Sequence, residues 1–268
     1  MFSLKNGTKI GVISGKGAGK KRNKKELFLK NEKKEDFKNP DYISDSDSES
    51  EDEEEEFFNE VNIDYGLMQQ YPNTDLDREC IYIAGPSGSG KSTYAANYLK
   101  QYKKAYPDNP IILFSRKPED PVLDKLKPMR IMIDEDLLDD PITLDELRDS
   151  AVVFDDIDTI ADKQLLAYIQ HLRDDILEVA RSYHTTCICT SHQITNYKAT
   201  RVLLNEATSI VFFPKSGSSH GIKYCLKQYC GISDKKDLKK ILNLPSRWVC
   251  LNKTYPMHVL YSFGAYKV

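Results

Sequence analysis

The chain has 268 residues, with 38 lysines and arginines against 41 acids for a net charge of −3, and is 40% hydrophobic. That length suits one large domain or two small ones, and no apolar run approaches the roughly 20 residues needed to span a bilayer. The opening MFSLKNGTKI is too short and too polar for a secretory signal, so a protein that is not secreted and keeps its six cysteines as thiols is expected.

In chain order, residues 1–60 differ in kind from the rest. Lysines dominate residues 1–38, with the cluster KKRNKK at Lys20–Lys25, and the sign reverses in SDSDSESEDEEEE at 44–56. Blocks of like charge with few apolar residues bury too little surface to offset chain entropy, so 1–60 is expected to be a disordered basic-then-acidic tail. KKRNKK reads equally as a nuclear-entry signal, a nucleic-acid patch or a solvated arm. A glycine-lysine cluster at Ser14–Lys21, SGKGAGKK, imitates a phosphate loop but has Ser14 where glycine is required and Lys21 where a hydroxyl is required. No strand of a larger sheet is expected ahead of it.

Residues 61–268 carry the foldable core. The run IYIA at Ile81–Ala84 predicts a buried strand and Ser92–Tyr102 a helix. Between them, Gly85-Pro86-Ser87-Gly88-Ser89-Gly90-Lys91-Ser92-Thr93 fits G-x-x-x-x-G-K-[ST] without a gap. Glycines let successive N–H groups aim at phosphate oxygens, and the helix brings its positive N-terminal dipole to the anion. Lys91 would reach the β/γ-phosphates of ATP, and the Ser92 hydroxyl would ligate Mg²⁺.

Strands follow at PIILFSRK and at Arg130–Ile133, and a short helix at TLDELRDS with a Thr143–Glu146 capping-box spacing. Then come the strand of AVVFDDID, a long helix over Lys163–Arg181, the strand TTCICT, a helix over Thr200–Ala207 and the strand SIVFF. Alternating strands and helices imply an α/β fold, a mainly parallel central sheet covered on both faces. RWVCLN and MHVLYSF are expected to pair at one sheet edge.

Asp155 and Asp156 close an apolar strand, the pattern a nucleoside triphosphatase needs opposite its phosphate loop. Asp155 would hold the Mg²⁺ and Asp156 would polarise the attacking water; the alternative for Asp156 is capping of the segment that follows. At the end of the next strand, in TSHQ, Gln193 could sense the γ-phosphate, and His192 could take that place instead. From Lys198 onward twelve lysines and arginines face only Glu206, Asp234 and Asp237. Such a surface suits a polyanion, or else is a merely solvated lysine helix at Ser233–Leu242. His220, Cys225, Cys230 and Cys250 have zinc-ligand chemistry without a tight knuckle; thiols in a packed sheet are the plainer reading.

Together GPSGSGKST, VVFDDID, CTSHQ and ATRVLLNEATSIVFF resemble the DNA-packaging ATPases of large nucleocytoplasmic DNA viruses, in the FtsK–HerA superfamily of P-loop motors. The resemblance covers about Tyr82 to Phe213. It implies an ASCE-type, RecA-like three-layer sheet in which one strand separates the phosphate-loop strand from the acidic strand. It also implies a homo-oligomeric ring that moves double-stranded DNA into a capsid, docked on a capsid or portal-vertex protein, in a virion or a viral factory of the host cytoplasm. By position, Lys91, Ser92, Asp155, Asp156 and Gln193 take the Walker A, Walker B, base and sensor roles, although related motors often have glutamate in place of Asp156. Arg173, Arg181 and Arg201 are candidates for the arginine finger, with Arg116 after them. No guanine-reading N-K-x-D occurs, so a hydrolytic motor is the leading reading and a P-loop kinase of a nucleotide or nucleic-acid end the alternative.

Overall fold

In the computed structural model, residues 1–15, 25–30, 58–63 and 66–268 are described. The central sheet starts from five-residue runs that are apolar along nearly their whole length, as strands covered on both faces must be. These are β6 (Cys80–Ala84), β7 (Ile111–Ser115) and β9 (Ala151–Asp155), in which every residue is buried. The other strands of the central sheet are β4 (Glu60–Asn62), β8 (Met129–Met132), β10 (Thr186–Ser191), β11 (Ser209–Phe212), β12 (Val249–Asn252), β13 (His258–Tyr261) and β14 (Gly264–Lys267). Among the described residues the order is β4-β14-β13-β12-β11-β6-β10-β9-β7-β8. From β11 to β8 neighbours are parallel, and from β11 to β4 they are antiparallel. β10 lies between β6 and β9, so the ASCE-type strand order that the resemblance implied is present.

Alternation along each strand builds two cores. Tyr82, Phe114, Phe154 and Cys189 face one side with the apolar stripes of α3 (Lys163–Val179), α4 (Tyr197–Glu206), α5 (Ser219–Cys230) and α6 (Lys235–Asn243). Ile83, Leu113, Val153 and Ile188 face the other, against Tyr94, Tyr98, Leu99 and Tyr102 of α1 (Lys91–Ala105). The short α2 (Asp136–Asp139) sits between β8 and β9 in the chain. α3 follows from its stripe Leu165, Ile169, Leu172 and Ile176, all buried, and from Asp162, whose Oδ1 accepts the Leu165 N–H at 2.7 Å.

Several expectations are corrected here. Within 1–60, the chain forms β1 (Phe2–Ser3), β2 (Thr8–Ser14) and β3 (Lys25–Leu29), which join β5 (Leu67–Gln70) in a second sheet, β1-β3-β2-β5. Phe2, Ile10, Ile13, Leu27, Leu29 and Met68 bury themselves in the core that contains α1. Ile10, Ile13, Leu27 and Leu29 thus contribute to a shared core, a contribution that charge averaging along the sequence conceals. A strand therefore does precede the SGKGAGKK cluster, although it is antiparallel to its neighbours. Residues 16–24 and 31–57, including most of KKRNKK and the whole acidic block, lie outside the described residues.

The C-terminal strands are likewise not an edge pair. β12 and β13 do pair, but β14 and then β4 continue the sheet beyond them. TLDELRDS forms a single tight turn at Asp145–Leu147, with Thr143 N and Oγ1 donating to Glu146 Oε2 at 2.8 and 2.7 Å.

Candidate nucleotide site

The C-terminal ends of β6, β9, β10 and β7 converge. From β6 the chain turns through Gly85–Gly90 into α1. A Cβ at Gly85 would stand 2.6 Å from Phe213 and 2.7 Å from the Ser89 hydroxyl, so any larger residue there would displace these side chains. Gly90 adopts φ +114°, a conformation that L side chains rarely take. With Gly90 as N-cap, the first turn of α1 receives no side-chain cap and no acid, which leaves its N–H groups and dipole for an anion. The Ser89 hydroxyl is buried with no hydrogen-bond partner, a donor that a phosphate oxygen would satisfy.

Lys91 is buried within this loop. Its ammonium donates to the Gly85 carbonyl at 3.1 Å and lies 3.3 Å from Asp156 Oδ1. Thr190, at the end of β10, ties the acids together: its hydroxyl lies 3.0 Å from Asp155 Oδ1 and 3.1 Å from Asp156 Oδ1, and accepts the Asp156 N–H at 2.9 Å. Ser115, in register with Asp155 across β7 and β9, donates to Asp155 Oδ2 at 3.4 Å. Asp156 has φ 49°, ψ 42° and starts the turn Ile157–Thr159 without a side-chain capping bond. Its carboxylate is therefore given to the cluster, not to the cap.

On the far side, Lys117 approaches Asp155 Oδ2 at 3.4 Å and Asp156 Oδ2 at 3.6 Å. Burial works against its ammonium, but Asp155 and Asp156 outweigh that and raise its pKa. His192 Nε2 stands 3.4 Å from Asp156 Oδ2.

Of the strand-end residues in TSHQ, His192 thus meets the acid pair. Gln193 engages through its carbonyl, which accepts from Tyr82 Oη at 2.5 Å and Ser191 Oγ at 3.0 Å; its exposed residue borders the clefts on either side. Ser92 is half-buried and Pro86 also, whereas Ser87, Gly88 and Thr93 are exposed on the open side of the loop.

The arginines scatter. Arg173 is buried and paired with Asp174 on its own helix, which withholds it from any neighbouring molecule. Arg181 pairs with Asp77, near the N-terminal end of β6. Arg201 is exposed on α4, and Arg116 donates to the Thr159 carbonyl at 3.0 Å. Arg247 had no signal in the sequence, yet it clasps the loop: Nε donates to the Ser89 carbonyl at 2.8 Å and Nη2 to the Gly88 carbonyl at 2.6 Å.

The zinc set does not assemble. Cys225 and Cys230 lie on α5, a helix where packed sheet was expected, and face one core, while Cys250 on β12 faces the opposite one. All six cysteines are buried and free.

The Sputnik virophage protein designated uncharacterized protein V3 is 44% identical over 209 residues, spanning 77% of this chain and 84% of that protein. The chain belongs to the family of this virophage protein. Its strand order, with β10 between β6 and β9, agrees with the α/β P-loop fold expected from the sequence. No family model matches the chain. Solved structures similar to it include the DNA-packaging ATPase B204 from Sulfolobus turreted icosahedral virus, with TM-score 0.48 and 13% identity over 70% of this chain and 98% of that one. The pCW3 conjugation coupling protein TcpA in its monomer form with ATPγS is another, with TM-score 0.48 and 16% identity over 96% and 77%. Among the described residues, no helix is long and apolar enough to cross a membrane.

Proposed function

We propose that this protein hydrolyses ATP to move double-stranded DNA, as a homo-oligomeric ring that packages a viral genome through a capsid or portal vertex. The observation that carries the reading is the joining of Lys91 to Asp156 at 3.3 Å within a cluster that also holds Asp155 and Thr190. The phosphate-binding lysine and the hydrolytic acid already share one buried site.

Lys91, the Ser89 hydroxyl and the N–H groups of the loop bind the polyphosphate. Arg247 holds the loop from outside. A cleft beside Thr93, flanked by Tyr94 and Trp248, is the place beside the loop for the base. Hard oxygen donors suit Mg²⁺: Ser92 and Asp155 would hold it, and it would supply neutralisation of phosphate charge. Asp156 is the base that orients and polarises water, and His192 or Gln193 reports on the γ-phosphate. Arg201, exposed on α4, is the first candidate for a finger reaching a neighbouring subunit, and Arg181 the second.

For DNA, the structure sharpens the basic surface. Lys215, Lys223, Lys227, Lys235 and Lys239 line a groove between α5 and α6. Lys223/Lys227 and Lys235/Lys239 are like-charged i,i+4 pairs, unfavourable unless a polyanion offsets them. Lys240, also assigned to a DNA path by its charge, turns instead to Glu60 at 2.8 Å and to the Tyr266 ring at 4.0 Å. The loop 214–219 joins this groove to the phosphate loop, since Ser216, Gly217 and Ser218 face Gly85 and Pro86 while Lys215 and Ser219 face the groove.

The test is ATP turnover with and without DNA of arbitrary sequence, read beside particle size and salt dependence. Stimulation by DNA is expected. Binding should weaken with a log–log salt slope of about −0.9 per phosphate neutralised, and changing the five groove lysines to glutamine should flatten that slope where Lys240→Gln does not. Labelled phosphate on an acceptor instead of in water would favour the kinase.

A further inference from the structure

Lys117 was not singled out by any motif, and its position answers a specific electrostatic problem. Asp155 and Asp156 are consecutive, and their side chains are 2% and 11% exposed. Two adjacent buried carboxylates need counter-charge. Asp156 has Lys91 at 3.3 Å and the His192 ring at 3.4 Å. Asp155 has hydroxyls from Thr190 and Ser115 and, among the described residues, one cation: Lys117.

The approach of Lys117 is built, not incidental. Ser115 donates to Asp155 and also accepts the Lys117 N–H at 3.1 Å, which turns the chain back over the acids after β7. Arg130 Nη1 donates to the Lys117 carbonyl at 2.7 Å and pins that turn. The backbone is thus held while the side chain remains 54% exposed. Lysine's long stem and compact charge let it leave for solvent without unfolding anything.

We infer that Lys117 is a displaceable counter-ion of the acid pair, which competes with the divalent metal for Asp155 Oδ2 and so sets the metal concentration at which the site loads. This rests on the proposed ATPase reading, in which Asp155 is a metal ligand. Loading the metal would then release an ammonium beside the polyphosphate and link the β7–β8 edge to the state of the site.

The experiment is Mn²⁺ titration of the full chain without nucleotide, followed by electron paramagnetic resonance, alongside thermal unfolding with and without Mn²⁺. Lys117→Gln should bind Mn²⁺ about tenfold more tightly than the wild type, the scale of one neighbouring charge. It should also melt lower without metal and recover when Mn²⁺ is added. Lys117→Arg should keep the wild-type affinity, and Asp155→Asn placed in the Lys117→Gln protein should cancel the gain. Unchanged or weaker Mn²⁺ binding by Lys117→Gln, or none measurable, overturns the inference. Because the readout needs no turnover, the two readings fail separately. Competition without ATP hydrolysis would sink the ATPase, whereas DNA-stimulated hydrolysis with unaltered Mn²⁺ binding would sink the counter-ion.

Discussion

The two halves of the central sheet make opposite uses of the same strand chemistry. From β11 to β8, parallel strands are joined by crossovers, so successive strands release their chains at one edge, and there β6, β7, β9 and β10 place Lys91, Ser115, Asp155, Asp156 and Thr190 together. From β11 to β4 neighbours are antiparallel: short turns join β12, β13 and β14, α5 and α6 separate β11 from β12, and β4 comes from the N-terminal part of the chain. A parallel sheet collects strand ends, which is why ligands gather at its carboxyl edge; an antiparallel meander extends the core without collecting a site. The exception is Arg247, which leads into β12 and reaches across to the phosphate loop.

The largest expected effect breaks the parallel half alone. Lys91→Ala should lower ATP turnover by roughly 10²-fold or more, the scale of losing one preorganised charge, while circular dichroism stays that of the wild type. Near-normal turnover would exclude this edge as the working site. Within the same edge, Asp156→Asn should stop hydrolysis and spare Mg²⁺-ATP binding, and Asp155→Asn should weaken metal dependence and binding together. Equal behaviour of the two variants, in nucleotide-binding and metal titrations, would cancel their separate roles.

A smaller effect tests whether the antiparallel half contributes to the site. Arg247→Ala removes two charge-assisted hydrogen bonds to loop carbonyls, each worth about 1.5–3 kcal/mol at most; its exposure to solvent reduces that. The KM for ATP should rise by about three- to tenfold, with kcat changed less. An unchanged KM would confine the site to the parallel strands.

The smallest effect on turnover lies at the opposite, amino edge of those strands, where chemistry is not expected. Glu79, just before β6, is buried, and burial lifts its pKa to about 7 against the opposing hydrogen bonds from Tyr98 and the Asn73 N–H. Between its ordinary value of 4.5 and about 7 the folded protein holds a proton that the unfolded chain has lost. Stability is therefore greatest below that window and falls as pH rises through it. Glu79→Gln, titrated by denaturant from pH 5 to 8, should flatten this slope and stabilise the protein at pH 8 by on the order of 2–3 kcal/mol, leaving turnover untouched. A slope that persists in the variant would mean that another group carries it.

Much of the parallel half was legible because its signals are local. GPSGSGKST carries its own backbone geometry, and AVVFDD shows a buried strand and its acids in six letters. α3 announced itself by its stripe and ended two residues short of the expected Arg181. α5 was missed because its lysines and cysteines blur the apolar period, and its buried face of Ile222, Cys225 and Leu226 is narrow. The N-terminal strands were missed for a related reason: averaging over a lysine-rich stretch hides a few apolar residues that complete a core built mostly from residues far along the chain.

By itself the sequence determined the phosphate loop, the acid pair, the alternation of strands and helices and the basic C-terminal third, all properties of neighbours along the chain. Only the tertiary structure decided that Thr190 and Ser115 bracket Asp155, that His192 and not Gln193 meets Asp156, that Arg247 grips the loop and that Lys117 neutralises the acids. It also separated Lys240 from the groove lysines, although Lys239 precedes it directly in the chain. The physical reason is register. Which strand lies beside which, and where each one ends, is set by the burial of two whole sheet faces at once, and a side chain one or two residues past a strand end finds its partner only after that choice is made.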